Sequence, residues 1–150
     1  MNRLKEEGKL ELVEPSEEIK QSYIEKSESN LFSAKILFNN DRLEESVGLA
    51  YYSMYHLLTA LLFKVGIKCE NHSASIVLLK ELFGLENRGI LEAKTERIDK
   101  QYYVGFKLTK QEVEETIKKA ETFNSELGDF ISRMRNLDVT IYRKRFNEIV

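Results

Sequence analysis

Few side chains in this chain could do chemistry: two histidines, His56 and His72, one cysteine, Cys69, and the phenols of Tyr102 and Tyr103 a short step after Arg97. An imidazole titrates near pKa 6.5 and exchanges protons at neutral pH, so the histidines are the residues suited to acid–base work. His56 stands mid-helix in an apolar run, whereas His72 stands at a helix start, where a capping or turn role is the plain expectation. The histidines and the cysteine are not spaced as ligands of one ion, so no metal site and no cofactor are expected. There is no nucleophile elbow, no phosphate-cradling glycine loop and no dinucleotide fingerprint, and Glu44-Glu45 reads as a solvated adjacent pair. One basic cluster occurs, Arg133, Arg135, Arg143, Lys144 and Arg145 against the single acid Asp138, with Tyr142 and Phe146 interleaved. It reads either as cations favoured by the dipole at the end of a long helix or as an RNA- or partner-facing patch. In the second reading Arg143 and Arg145 hold phosphates while aromatics stack on bases.

The elements that must position these residues are helices. Of 150 residues, 42% are hydrophobic and 32% charged, with one proline and seven glycines, a balance that favours helix over β architecture and suits one domain. A net charge of −2 gives no global basic field, so any RNA contact must be local. Residues 1–14 are charged and loosely alternating and are expected as an N-terminal arm. Ser16 followed by Glu17 and Glu18 predicts a helix from there to about Phe38, and Asp41 and Gly66 bound a second from about Arg42 to Val65. A third is predicted over about 73–83. A fourth is predicted from Asn87 toward Tyr103, with Ile90, Leu91, Ile98 and Tyr102 buried. Thr109-Lys110-Gln111-Glu112 forms a capping box that opens a fifth helix to about Arg135. Asp138 caps a short last helix in a basic extension over 136–150. The expected fold is an all-α up-and-down bundle of about five helices spanning 15–135, with that short helix added.

The second helix presents two apolar stripes. Val47, Ala50, Met54, Leu58, Leu61 and Val65 form one; Tyr52, His56, Thr59 and Phe63 form another on nearly the opposite side. A helix apolar on both sides needs two surfaces to bury against, the core and, by expectation, a second copy of the chain, which makes Tyr52, His56, Thr59 and Phe63 dimer-interface candidates. The run from Ser46 to Phe63 carries no charge. It raises the question of a membrane span, but its tyrosines, His56 and Thr59 argue against one. With a lone cysteine and no apolar h-region after the charged opening, the chain is expected to be cytoplasmic.

The segment Glu44-Glu45-Ser46-Val47-Gly48-Leu49-Ala50-Tyr51-Tyr52-Ser53-Met54-Tyr55-His56 resembles the helix of HEPN proteins in which an alanine, paired tyrosines and an aromatic-histidine step recur. Gly66-Ile67-Lys68 leading to Asn71-His72-Ser73 resembles the family's turn between its second and third helices. Arg97 with Tyr102 resembles its arginine-plus-tyrosine element, and the capped Thr109 helix completes the pattern over roughly 15–132. The resemblance implies a helical bundle, usually dimeric, of a prokaryotic family whose members pair with nucleotidyltransferases or cut RNA. In HEPN ribonucleases an arginine followed four to six residues later by a histidine forms the site at the dimer cleft. Here the positions after Arg97 hold Gln101, Tyr102 and Tyr103, so the histidine is absent.

A phenol near pKa 10 would have to be lowered by about 3.5, roughly 5 kcal/mol, to match an imidazole, so Tyr102 is a poor general base. Arg97 stays charged and can still hold a phosphate. A five-residue helical step turns about 140°, so Arg97 and Tyr102 share a pocket only if the helix ends between them or a partner subunit contributes. The expectation is a homodimeric HEPN domain acting as partner of a nucleotidyltransferase in a toxin–antitoxin-type system. Arg97 would be its central residue, Tyr103 a weaker nucleotide-binding candidate, and a tyrosine hydroxyl an acceptor of a nucleotidyl group. The alternatives are a metal-independent endoribonuclease, in which Arg97 stabilises charge and Tyr102 or His56 assists attack by the RNA 2′-OH, and a non-catalytic dimeric scaffold.

Overall fold

A computed structural model gives the backbone of residues 1–102 and 107–150, and the side chains of all of these except 98–102. Among the described residues there are seven helices: α1 (Asn2–Glu6), α2 (Glu17–Asn39), α3 (Leu43–Val65), α4 (His72–Glu81), α5 (Arg88–Tyr102), α6 (Lys110–Arg133) and α7 (Asn136–Ile149). Two short strands, β1 (Leu10–Leu12) and β2 (Ile67–Cys69), complete the set. The expected all-α class holds. Helix starts follow their local signals: Ser16 Oγ accepts from the Ile19 N–H at 3.1 Å and Thr109 Oγ1 from the Glu112 N–H at 3.1 Å. Gly66 ends α3 in the left-handed region at φ 85°, where a side chain would be strained.

Helix α3 is the axis of the bundle, packed against α2, α5, α6, α4 and α7. Its first stripe is the core, with Val47, Ala50, Met54, Leu58, Leu61 and Val65 all buried. Small residues let α2 approach closely enough for side chain to backbone bonds: Ser27 Oγ donates to the Ser53 carbonyl at 2.6 Å and Ser46 Oγ to the Ala34 carbonyl at 2.7 Å. The second stripe is covered in part by the same chain. Phe63 stacks on Tyr23 of α2 with ring centroids 5.8 Å apart, and His56 Nδ1–H donates to Asn30 Oδ1 at 2.7 Å. Thr59 turns its hydroxyl back to the Tyr55 carbonyl at 3.0 Å. All four residues of this stripe stay half-buried, so α2 and α5 cover the second face in part. The same packing absorbs its uncharged length, which otherwise is long and apolar enough to cross a membrane.

Other expectations shift as well. Residues 1–14 are not a loose arm: β1 pairs antiparallel with β2 in the register Leu10↔Cys69, Glu11↔Lys68 and Leu12↔Ile67, and Leu10 and Ile67 are fully buried. The helix begun at His72 is capped by Asn71, whose Oδ1 accepts from the Ala74 N–H at 2.9 Å. Leu91, expected inside, is exposed, because α5 buries the line through Ile90 and Ala93 against α3 and α6. Of the other positions expected inside α5, the side chains of Ile98 and Tyr102 lie outside the described residues. The last helix is longer than expected and its start is Arg135; Asp138 sits one turn in and its carboxylate accepts from the Arg135 N–H at 2.9 Å. Phe146 anchors α7 in the core.

Candidate functional site

Along α3, the pairs 51/55, 52/56 and 52/55 are neighbours, because residues three and four apart lie next to each other on a helix surface. All four are aromatic: Tyr51, Tyr52, Tyr55 and His56. Two other elements reach this row. From α5, Arg97 Nη1–H donates to Tyr52 Oη at 3.0 Å, and the guanidinium carbon lies 5.2 Å from the Tyr51 ring centre and 5.1 Å from that of Tyr52. The negative faces of the two rings hold the cation in place. From the first turn of α4, His72 lies parallel to Tyr55 with ring centroids 3.8 Å apart, edge-on to Tyr52, and its Nδ1 is 2.9 Å from Tyr51 Oη.

The electrostatics fix the protonation of this group. Burial raises the Tyr51 phenol above its ordinary value and outweighs the opposing pull of Arg97, so Tyr51 keeps its proton. Burial lowers His72, and the nearby charges of Arg97 and Lys94 lower it further, so the imidazole is neutral at pH 7. The buried Tyr51 hydroxyl needs an acceptor, and His72 Nδ1 is placed to be it. That assigns the remaining ring proton to His72 Nε2. The site therefore holds a fixed guanidinium beside an imidazole whose basic nitrogen is occupied. Burial holds His56 down at about 4, with smaller contributions from Lys26 and His72. Its Nδ1–H is committed to Asn30.

Of the residues singled out by sequence, the structure brings Arg97 and Tyr52 into contact and puts His56 one stacking step away, its ring 5.8 Å from that of Tyr52. Helix α5 runs on through Tyr102, so the helix does not end between Arg97 and Tyr102; the Tyr102 side chain and Tyr103 lie outside the described residues. Arg143 and Arg145, expected to hold phosphates, both make contacts within the fold. Arg143 Nη1 donates to the carbonyls of Val13, Val65 and Gly66 at 2.7, 2.9 and 3.1 Å, clamping the end of α3 to the N-terminal segment. Arg145 Nη1 donates to the Leu82 carbonyl at 3.0 Å, at the end of α4, with its guanidinium over Tyr142. The Val65 and Leu82 carbonyls lie at helix ends, where the last carbonyls lack intrahelical partners. Sequence reasoning missed Tyr51, Tyr55 and Lys94 and saw in His72 only a helix start. The pair Asn71-His72 was the available signal, since a cap at Asn71 frees the next side chain to turn inward.

Among the described residues no three of His, Cys, Asp and Glu converge as a metal site. A separate cleft follows α6, lined by Leu85, Glu126, Phe130, Met134 and Tyr142, and shares no residue with the Arg97 group.

The HEPN domain family matches residues 21–130. The chain is 38% identical over 113 residues, 69% of its own length and 81% of the relative's, to a Methanocaldococcus jannaschii protein named "Putative toxin MJ0605". It is 40% identical over 74 residues, 48% of its length and 49% of the relative's, to the UPF0332 protein PH1297 of Pyrococcus horikoshii.

Proposed function

This chain belongs to the HEPN domain family, and from that premise we propose that it is the HEPN member of a toxin–antitoxin-type pair, a homodimer that works with a nucleotidyltransferase. The observation that carries the reading is the Arg97 group itself. A guanidinium set against two tyrosine rings and bonded to Tyr52 Oη is preorganised to hold phosphoryl oxygens. The neighbouring imidazole, with Nδ1 taken by Tyr51, is not arranged to remove a proton. Such a site binds nucleotide or RNA phosphates without needing to cut them. The relative's printed name, with its word toxin, supports the toxin-type assignment. The dimer reading rests on Phe32 and Ile36, one turn apart on α2 and 68% and 47% exposed, rather than on the stripe that α2 covers. Sequencing the flanking genes and co-expressing any nucleotidyltransferase found there with this chain, followed by affinity purification, tests the pairing: a stable complex supports it, and no such gene, or a chain that elutes alone, refutes it.

A second reading, a metal-independent endoribonuclease, draws on Arg97, fixed against Tyr51 and Tyr52 and placed to stabilise charge as an RNA 2′-OH attacks. Labelled RNA incubated in EDTA with wild type and Arg97→Ala decides it. Cleavage by wild type alone supports the ribonuclease; cleavage by neither, or by both, removes it.

A further inference from the structure

Two acids and two cations of α5 face different neighbours. Glu92 takes Lys119 of α6 at 3.3 Å and Glu96 takes the Thr116 hydroxyl of α6 at 2.7 Å, so both carboxylates are turned toward α6. Lys94 and Arg97 turn the other way. Lys94 Nζ donates to Ser73 Oγ, in the first turn of α4, at 2.5 Å, and Arg97 lies over Tyr51 and Tyr52. His72, next to Ser73, stands between these cations closely enough that both depress its protonation. Two cationic side chains, a hydroxyl and an imidazole therefore converge where α5 meets the start of α4. Two cations held close together favour an anion beside them, and Lys94 sits at the exposed edge of the cluster, its ammonium bonded to the Ser73 hydroxyl.

We propose that Lys94, Ser73 and the Nε2–H of His72 complete the Arg97 site as a receptor for a phosphoryl group, with Arg97 and Lys94 neutralising its charge and His72 and Ser73 donating hydrogen bonds. This rests on the reading of Arg97 as the anion-facing residue. It adds three residues and makes His72 a binding group, not a base. The tautomer set by Tyr51 is the one needed, because it aims a proton, not a lone pair, at the oxygen. The ligand class is a phosphoryl oxygen of RNA, either an internal diester or a terminal monoester.

The chain's two histidines make the test direct, since each gives a resolvable imidazole signal in a proton NMR spectrum. The probes are pentauridylate with and without a 5′-phosphate, added to wild type, Lys94→Ala and, as a control on the opposite side of the α5 cation face, Lys119→Ala. The His72 signal is expected to move and that of His56, committed to Asn30, to stay. Lys94→Ala should weaken the titration about 10-fold, the loss of one charge-assisted hydrogen bond, and Lys119→Ala should leave it unchanged. A shift with both probes assigns the site to an internal diester, and a shift with the phosphorylated probe alone assigns it to a terminal phosphate. A His72 signal unmoved by either probe, or equal losses for Lys94→Ala and Lys119→Ala, overturns the proposal. Should no nucleotidyltransferase complex form, the His72 shift is still expected, so failure of the partner reading and failure of this one are told apart.

Discussion

Replacing Arg143 by alanine separates a structural clamp from a nucleic-acid contact. In the structure a single guanidinium nitrogen serves three carbonyls, Val13, Val65 and Gly66. Its two protons can satisfy about two of them at a time, each bond from a charged donor contributing about 1.5 kcal/mol at the lower end for a half-buried group. The Val65 and Gly66 carbonyls are at the negative end of α3, which adds a few tenths of a kcal/mol. The expected loss is about 3 kcal/mol. For a chain of this size that lowers Tm by about 6–12 °C and moves the urea midpoint in proportion. Arg133, in the same basic tail, makes only an exposed ion pair with Asp129 one turn away, so Arg133→Ala should cost about 0.5 kcal/mol or less. Both variants would be followed by urea unfolding and by RNA affinity. The reasoning is refuted if Arg143→Ala unfolds like wild type, or if the two substitutions weaken RNA binding equally with stability intact.

Gly66→Ala should destabilise far more than Gly84→Ala. Both have positive φ, which costs about 1–2 kcal/mol for a side chain, but a Cβ at Gly66 would also run into Arg143 Nη1 and the Val13 carbonyl, whereas one at Gly84 meets open space. Comparable urea midpoints for the pair would contradict this. The His56 imidazole, held at about 4 against an ordinary 6.5, makes the unfolded chain the better proton acceptor. Stability is therefore full above pH 6.5 and falls as pH drops toward 4, by about 1–2 kcal/mol once screening of a half-buried ring is allowed for. His56→Gln should flatten the difference in urea midpoint between pH 7.5 and 4.5 relative to wild type. Phe32→Asp should shift a dimer to monomer in analytical ultracentrifugation; an unchanged sedimentation coefficient would remove α2 from the interface.

The parts of the fold written in local chemistry were legible. Ser16, Gly66 and Thr109 announce helix ends because a side-chain oxygen or a missing Cβ acts within a few residues. The stripe from Val47 to Val65 announces the core because it repeats at the helical period. Whatever depended on a distant partner was hidden. Leu10-Glu11-Leu12 is too short to read as a strand, and its partner over 67–69 lies far along the chain. The second face of α3 asked for a surface to cover it, and the sequence did not say that α2 was that surface. The arginines of the tail were visible as charges, but the carbonyls that receive them belong to other helices. In the site, Arg97 stood out through its resemblance to a family element. His72 did not, since its role comes from Tyr51, twenty-one residues earlier, and from Lys94 and Arg97 on another helix.

The most direct measurement is to identify a nucleotidyltransferase gene beside this one, co-express its product with the tagged chain and determine the composition and mass of the purified species by size exclusion with light scattering. The account predicts a complex built on two copies of this 17.5 kDa chain together with the nucleotidyltransferase. A lone chain, with the nucleotidyltransferase in a separate peak, would contradict it.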